Sequence, residues 1–342
     1  MKTKSVDYLN IGLILLSLWL AIMIPFGLFI YAYAILGPLH YLTEINWLRD
    51  KKYYVADRWW IWLVLGLCAL LVIPKFLIEP AFIEDLGTLQ PAVEWLVHWS
   101  NAIIFLLLAT ALILLNVKKR NLRLILMGVA IVAAYAFNSA PIYITLIGLL
   151  VPTLIHVYLF TLLFMIYGAI KSKSIPGGIA ALMVALVPVA IALMNIDPTG
   201  YHPTEYVQQA TIENRFFATN VYFAKFLGLS EKLNYQANEF FNGLLTVKIQ
   251  VFIAFSYLYH YLNWFSKTTV IGWHKHLTTP KTVTIIAIWV IILGLYWWSY
   301  RLGFYVSLFF SFMHVFLEFP LNWLSIQGTF KAIPWPGKAS QG

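Results

Sequence analysis

Apolar runs long enough to cross a bilayer follow one another along almost the whole chain. A helix needs about 20 apolar residues to span the hydrocarbon core, where the backbone must satisfy its own hydrogen bonds. The alternation typical of membrane strands is missing, so the runs indicate helices. The sequence predicts an all-α, polytopic integral membrane bundle of about nine transmembrane helices, with eight or ten also compatible. The predicted spans are 9–36, 59–78, 95–116, 123–138, 142–170, 177–194, 246–264, 282–299 and 302–326.

Two segments leave alternatives open. The span 142–170 is longer than a crossing requires and contains Pro152, which favours either one kinked helix or a re-entrant piece followed by a full span. Residues 195–245 form the only sizeable predicted loop and contain an amphipathic stretch over 211–227. That stretch favours a helix on the outer membrane surface, with a lid over a substrate entrance as the alternative. The whole chain, 1–342, is interpreted as one transmembrane domain.

Charge distribution predicts the orientation. Most of the 23 lysines and arginines lie in alternate loops, which the positive-inside rule places in the cytoplasm. The amino terminus is then outside and the carboxy terminus inside, although Lys2 and Lys4 oppose this. The net charge of +9 suits anionic lipid headgroups and requires no nucleic-acid partner. We expect a bacterial inner (cell) membrane protein in contact with lipids, and its oligomeric state stays open.

Composition supports the membrane class and limits the chemistry. The chain is 61% hydrophobic and 11% charged, whereas soluble domains carry about 25% charged residues. Its single cysteine, Cys68, lies within an apolar run. A disulfide framework and a cysteine-based metal cluster are therefore excluded.

Two histidine–glutamate pairs with a spacing of four lie near opposite ends of the chain. His40 precedes Glu44, and His314 precedes Glu318. Residues four apart share one face of a helix, so each pair presents a ring nitrogen and a carboxylate together. A carboxylate inside a membrane is costly unless it is paired or bound to a metal. The two pairs therefore predict a metal site or a proton site.

Two further histidines, His156 and His260, are embedded deep in predicted spans, whereas His98 lies at the outer mouth of its span. Imidazole is the commonest metal ligand in proteins. Four histidines with two carboxylates suit iron, zinc or copper, with a haem-binding pair as a weaker alternative. Glu44 and Glu318 are expected to be ligands or catalytic bases. The predicted metal ligands are His40, His156, His260 and His314.

Depth along the helices tests whether these histidines can meet. A rise of about 1.5 Å per residue spreads them over roughly 10 Å along the membrane normal. Helix tilt or kinks can close this gap, and Pro38, Pro152 and Pro320 each lie within four residues of a histidine or of Glu318.

Neighbouring polar residues are predicted to orient the ligands. Ser256 and Asn263 share a helix face with His260, and Asn322 follows Glu318 by four residues. Each can donate or accept a hydrogen bond at a ring nitrogen or carboxylate, as residues surrounding metal ligands commonly do.

The amino-terminal motif resembles one known family. Gly37 and Pro38 precede His40, and Glu44 follows it, which is similar to the Gly-x-Pro-His-Gly-x-x-Asp motif of the Brp/Blh-type β-carotene dioxygenases. The aromatic stretch around His260, followed by a basic loop, resembles their late histidine-bearing helix. The resemblance covers two short patches and implies a polytopic membrane enzyme. It further implies an iron held by histidines from separate helices and an apolar substrate such as a carotenoid or another isoprenoid.

Three functional hypotheses follow. The first is a metal-dependent membrane oxidoreductase, in its specific form a membrane iron-dependent oxygenase, acting on a lipid-soluble small molecule. The second is a proton- or cation-coupled transporter that uses the intramembrane His–Glu pairs. The third is a non-catalytic membrane subunit in which the histidines are structural or bind haem. The zincin motif, the nucleotide-binding loop and the histidine boxes of membrane desaturases are missing from the sequence.

Overall fold

The computed structural model describes residues 3–80, 82–229 and 240–332, and within these ranges the chain is helical without strands. Among these described residues, eight helices are long and apolar enough to cross a membrane, and α4 and α5, bent by 47°, together make a ninth. The predicted all-α membrane bundle is confirmed. Its helices are α1 (Thr3–Met23), α2 (Pro25–Asp50), α3 (Trp59–Leu77), α4 (Gln90–His98), α5 (Ser100–Asn116), α6 (Arg120–Phe137), α7 (Pro141–Ser172), α8 (Ile175–Leu193), α9 (Glu205–Glu213), α10 (Phe217–Phe226), α11 (Leu244–Ser266), α12 (Thr279–Trp298) and α13 (Tyr300–Ala332).

The structure has two helices where the sequence predicted one span over 9–36. The backbone leaves the helical region at Ile24, with φ −141° and ψ 56°, and α2 then begins at Pro25. Proline fixes its own φ, has no N–H to donate, and disfavours helical geometry in the residue before it. The chain therefore turns back at this point, and each of the two helices has the length and hydropathy of a separate span.

The extra crossing changes the predicted placement of the amino terminus. Near the start of α1, the Asp7 carboxylate accepts a 2.5 Å hydrogen bond from Ser174 Oγ. Asn10, one turn later, donates to Ser266 Oγ at 3.0 Å. Ser174 and Ser266 adjoin basic loops, so α1 starts at the same end of the bundle as these loops. We call this the basic end; the charge pattern predicts the amino terminus at the opposite end.

The long helix α7 is continuous, so the re-entrant alternative for 142–170 is not what the chain adopts. Its residues Ile144–Phe160 are wound as a π-helix, with Pro152 inside. A proline within an α-helix removes one hydrogen bond and collides with the preceding turn, and the wider π winding accommodates such an interruption. The chain thus crosses once here, and its winding is altered where His156 lies.

The described residues of the segment 195–245, namely 195–229 and 240–245, cover the end of the bundle opposite to the basic end. The predicted amphipathic helix over 211–227 is divided into α9 and α10, separated near Arg215, whose φ is 55°. Phe216, between them, packs edge-on against Phe29 and Phe304, with ring centroids 5.1 and 5.0 Å apart. Residues 230–239 lie outside the described part of the chain. The described part of this segment is therefore packed onto α2, α7, α11 and α13.

Helix α11 occupies the centre of the bundle, in contact with α1, α2, α7 and α8. Most of its side chains are buried, including the polar Gln250 and His260. It matches the predicted span 246–264 in position, yet it does not meet the hydropathy expected of a span. Its polar residues face neighbouring helices instead of lipid. A helix that is enclosed in this way does not need the hydropathy of a lipid-facing span, because the surrounding helices make the contact with lipid.

A left-handed turn after α2 yields a stability prediction. Lys52, Tyr53 and Tyr54 all have positive φ angles, between 51 and 56 degrees. This conformation costs roughly 1–2 kcal/mol for each residue other than glycine. The Lys52 side chain is exposed, so glycine at this position relieves backbone strain without removing core packing. We expect Lys52→Gly to stabilise the protein by about 1 kcal/mol, seen as a higher melting temperature in detergent. Lys275→Gly, at an exposed position outside the left-handed region, is the control and should not be stabilised.

Candidate metal centre

Four helices each contribute one histidine to a single buried cluster. His40 lies on α2, His156 on α7, His260 on α11 and His314 on α13, and none is more than 7% exposed. The Nε2 atoms of His40 and His260 are 3.0 Å apart, as are those of His156 and His314. The spread of roughly 10 Å along the membrane normal that straight helices would give is not present. A count of residues per helix takes no account of helix tilt or of the π winding of α7, and both change the depth of a residue.

Ring contacts link the two histidine pairs into one group. The His40 ring lies 5.2 Å from His314, and the His156 ring lies 5.1 Å from His260, measured between centroids. Ligand atoms of His40, His260 and His314 all lie within 4.8 Å of one another. The Nδ1 atoms of His40, His156 and His314 have no hydrogen-bond partner among the described residues. The cluster is therefore a buried set of imidazoles that could hold a metal ion.

The two glutamates occupy different places around the cluster. Glu44 Oε2 lies 3.1 Å from His40 Nε2, the same nitrogen that approaches His260. Glu318 Oε2 lies 3.4 Å from His156 Nδ1, on the far side of that ring. Glu44 thus shares the face on which the Nε2 atoms meet, whereas Glu318 lies behind His156.

Distances within the cluster fit ligands at right angles. Two donors about 2.1 Å from one metal ion are about 3.0 Å apart at a right angle and about 3.4 Å apart in a tetrahedron. The two Nε2 pairs at 3.0 Å are hydrogen bonds between imidazoles, and their lengths, like the Glu44 contact at 3.1 Å, are also compatible with the first arrangement. Such angles are typical of six-coordinate ions and of square arrangements of nitrogen and oxygen ligands.

The supporting hydrogen bonds predicted from Ser256 and Asn263 to His260 are not formed. Ser256 donates to the Phe252 carbonyl of its own helix at 2.7 Å, so it does not orient His260. A hydroxyl inside a helix commonly bonds the carbonyl four residues earlier, which a face-sharing argument overlooks. Asn263 lines the cavity described below, and its amide oxygen has no hydrogen-bond partner among the described residues. Asn322 is buried one turn after Glu318.

Thr161 is the supporting residue that the sequence did not reveal. Its hydroxyl lies 2.7 Å from His260 Nδ1, the ring nitrogen that faces away from the cluster. Thr161 follows His156 by five residues, and residues with this spacing do not share a face of an α-helix. The π winding just before Thr161 brings residues five apart into adjacent turns, and the sequence signal for that winding is Pro152 alone. His156 and Thr161 therefore reach the same region.

Tyrosines close the cluster on the side away from the basic end. Tyr41 stacks on His314, with centroids 4.4 Å apart and planes at 21°, and its hydroxyl lies 2.8 Å from that of Tyr261. Gly37 lies directly beneath this hydroxyl pair. A Cβ added there would come within 2.9 Å of Tyr41 Oη and 3.2 Å of Tyr261 Oη. The glycine of the amino-terminal motif therefore makes room for the tyrosine that covers His314.

This close approach gives a prediction for Gly37→Ala. The new methyl group must displace Tyr41, which carries the stacked His314 contact, so the cluster should loosen. Overpacking of this kind costs roughly 1–3 kcal/mol. We expect a lower melting temperature, and the double variant Gly37→Ala with Tyr41→Phe should recover part of it because the colliding hydroxyl is removed. Gly66→Ala, where the added Cβ meets nothing within 4 Å, is the matched control.

A cavity of about 620 Å³ leads from the basic end to the cluster. Deep inside, its wall includes His40, His156 and His260 together with both glutamates. Nearer the mouth, the wall is formed by Trp47, Tyr54, Phe164, Trp264, Ile271 and Leu321. Burial, together with the negative charges of the two glutamates, raises the pKa of Tyr54 to about 12, so its phenol stays neutral. The cluster is thus reached through a largely apolar cavity.

These features define a class: a polytopic integral membrane protein whose centre holds converging histidines and carboxylates able to bind a metal ion. Comparison with models of known protein families, with curated proteins and with solved structures finds no match. The class is therefore supported by the fold and by the geometry of the site.

Proposed function

We propose that this protein is an integral membrane, iron-dependent oxidoreductase that acts on a lipid-soluble substrate. The observation that carries the proposal is the buried group of His40, His260 and His314, whose ligand atoms lie within 4.8 Å of one another. His156 Nε2 adjoins this group at 3.0 Å from His314 Nε2, and Glu44 Oε2 adjoins it at 3.1 Å from His40 Nε2. Burying four imidazoles and two carboxylates in a membrane is costly without a shared partner, and a cation supplies one. His40, His156, His260, His314 and Glu44 would hold the metal.

Iron is favoured by the ligand set and by the spacing. Histidine with carboxylate suits iron, zinc and copper alike, but zinc sites are mostly tetrahedral and would separate the nitrogens by about 3.4 Å. The spacing of 3.0 Å fits the six-coordinate geometry available to iron. The resemblance of the Gly37–Glu44 motif to the β-carotene dioxygenases points to the same metal.

The protein would contribute positioning and protection from water. A bound iron would supply redox or Lewis-acid chemistry at the inner end of the cavity. Glu44, on the open face, is placed to accept or return a proton. Thr161 holds the His260 ring through its hydroxyl, and the Glu318 carboxylate lies 3.4 Å behind the His156 ring, where its charge acts on that ring. The aromatic wall would hold the hydrocarbon part of a substrate next to this centre.

A transporter remains the second candidate, because imidazoles at hydrogen-bonding distance can also relay protons. The described residues favour the enzyme: the cavity opens toward the basic end, while Tyr41 and Tyr261 are tightly packed on the other side of the cluster. A permeation path requires access from both sides. Proton uptake by liposomes containing the protein would support the transporter.

The direct test is elemental analysis of the purified wild-type protein for iron, zinc and copper together. We expect about one iron per chain after expression with added iron, because the donors form one site. Oxygen consumption with a lipid extract should then depend on the iron content. A folded, monodisperse protein that holds less than about a tenth of an equivalent of any transition metal would contradict the proposal.

A further inference from the structure

Three lysines surround the mouth of the cavity. Lys51 follows α2, Lys171 lies near the end of α7, and Lys267 follows α11. Among the described residues, neither Lys51 nor Lys267 has an ion-pair partner within 4 Å, and Lys171 lies over the Tyr167 ring at 5.9 Å. In the part of the mouth that the structure describes, the only acidic residue is Asp7, whose carboxylate accepts from Ser174.

Lysines at the membrane–water boundary ordinarily determine how the protein is oriented in the membrane, and their side chains extend toward water. Lys267 departs from that pattern. It is half-buried, and burial lowers its pKa to about 8, although the Asp7 charge opposes the shift. Asn263, one turn earlier, presents a buried amide oxygen without a hydrogen-bond partner among the described residues to the same cavity. The unpaired Lys267 cation fits an anion. The Asn263 amide oxygen only accepts hydrogen bonds, so it would pair with a hydroxyl or a water beside that anion and not with the anion itself.

The cavity also has the polarity gradient of one leaflet of a bilayer. Its charged mouth lies at the basic end, its middle is aromatic and aliphatic, and its inner end is the histidine cluster. Lys267 follows His260 by seven residues, so the mouth lies about 10 Å from the cluster along α11. A lipid-derived molecule could therefore enter in the orientation that it already has in the membrane.

We propose that the cavity binds an amphiphile with an anionic headgroup, a carboxylate or a phosphate, held by Lys51, Lys171 and Lys267, with its hydrocarbon chain extending to the histidine cluster. Any reaction of the hydrocarbon chain at the cluster rests on the proposed function. Binding of the amphiphile does not depend on it. It narrows the substrate from any lipid-soluble molecule to an acidic amphiphile.

Binding can be measured with radiolabelled hexadecanoate in a scintillation proximity assay, with the full-length protein in a neutral maltoside detergent. Hexadecyl phosphate and hexadecanol serve as competitors of the same chain length. We expect both anions to compete at least about tenfold better than the alcohol, because a charge-assisted hydrogen bond is lost with a neutral head. The ratio between the two anions identifies the preferred headgroup. Equal competition by hexadecanol would overturn the proposal.

Lysine variants locate the headgroup. Lys267→Gln should weaken hexadecanoate binding about tenfold, and Lys267→Arg should retain most of it. Lys275→Gln removes an exposed lysine of the same basic end that does not line the cavity, and it should bind like the wild type. If Lys267→Gln and Lys275→Gln weaken binding equally, the selectivity is a general surface effect and the proposed site is excluded.

The two proposals can fail separately. His314→Ala should lose metal yet still prefer hexadecanoate to hexadecanol, because the lysine mouth does not need the metal. Wild-type protein without metal that keeps this preference would refute the iron proposal alone. Wild-type protein with iron but without the preference would refute the amphiphile alone.

Binding should also depend on pH in a defined direction. With a pKa of about 8, Lys267 is about nine-tenths charged at pH 7 and about one-tenth charged at pH 9. Asp7, Lys51 and Lys171 share the cavity mouth and contribute to the charge seen by the ligand. Affinity for hexadecanoate should be nearly full at pH 7 and fall several-fold by pH 9, with the midpoint near pH 8, whereas Lys267→Arg should stay flat over this range. A wild-type profile as flat as that of Lys267→Arg would contradict a role for the Lys267 charge.

Discussion

Replacing His314 with alanine is expected to reduce bound iron from about one per chain to less than about a tenth. His314 Nε2 lies 3.0 Å from His156 Nε2, and its ring faces His40 at 5.2 Å, so it belongs to both halves of the cluster. Changes to residues that merely support ligands weaken metal binding about 10–100-fold, and loss of a ligand should exceed that range. Elemental analysis after passage over a chelating resin is the measurement.

Two further variants separate ligation from folding. His314→Gln fills more of the space that alanine leaves empty, so it guards against collapse of the site, and it should also lack iron. His276→Ala changes a half-buried histidine outside the cluster, in the loop before α12, where it pairs with Asp50 at 2.7 Å. It should keep its iron. Retention of iron by both His314 variants would remove His314 from the metal site.

Thermal stability provides a second readout of the same prediction. A ligand that binds only the folded state stabilises it by about 2.7 kcal/mol at a hundredfold excess over its dissociation constant. Added iron should therefore raise the melting temperature of metal-depleted wild type and of His276→Ala, but not of His314→Ala. A melting temperature that responds equally in all three proteins would contradict the assigned site.

The four histidines could be identified from sequence because a polar ring inside an apolar span is expensive and therefore conspicuous. Sequence could also identify the helical membrane class, since apolar runs of spanning length leave few other folds. The turn at Ile24 also has a sequence signal, because Pro25 follows it directly. The apolar run continues on both sides of this proline, so hydropathy alone predicts one span. Because one span becomes two at Ile24, the amino terminus lies at the end of the bundle opposite to the one that the charge pattern predicts.

Contacts between helices could not be read from spacing within one helix. The matching intervals of four suggested that Glu318 supports His314, yet its carboxylate lies beside His156 of another helix. Sharing a face brings two residues to the same interface but does not determine which neighbour each one touches. Thr161 illustrates the same limit, because its position depends on a π-helix whose only sequence signal is Pro152.

The different places of the two glutamates predict different consequences of removing their charge. Glu44 Oε2 lies on the face where the Nε2 atoms converge, so Glu44→Gln replaces a ligand and should weaken iron binding more than about a hundredfold. Glu318→Gln acts only through the far nitrogen of His156 and should weaken binding about 10–100-fold, leaving iron bound at saturation. Both changes preserve side-chain size, and a competition titration against a coloured iron chelator measures both affinities.

Thr161→Val supplies the matched comparison, because Thr161 contacts His260 Nδ1 as Glu318 contacts His156 Nδ1. It should resemble Glu318→Gln in affinity and in the absorption spectrum of the bound metal, whereas Glu44→Gln should change both more strongly. Equal losses in Glu44→Gln and Glu318→Gln would show that both carboxylates bind the metal directly. A larger loss in Glu318→Gln would place the metal on the opposite side of the His156 ring, between Nδ1 and Glu318.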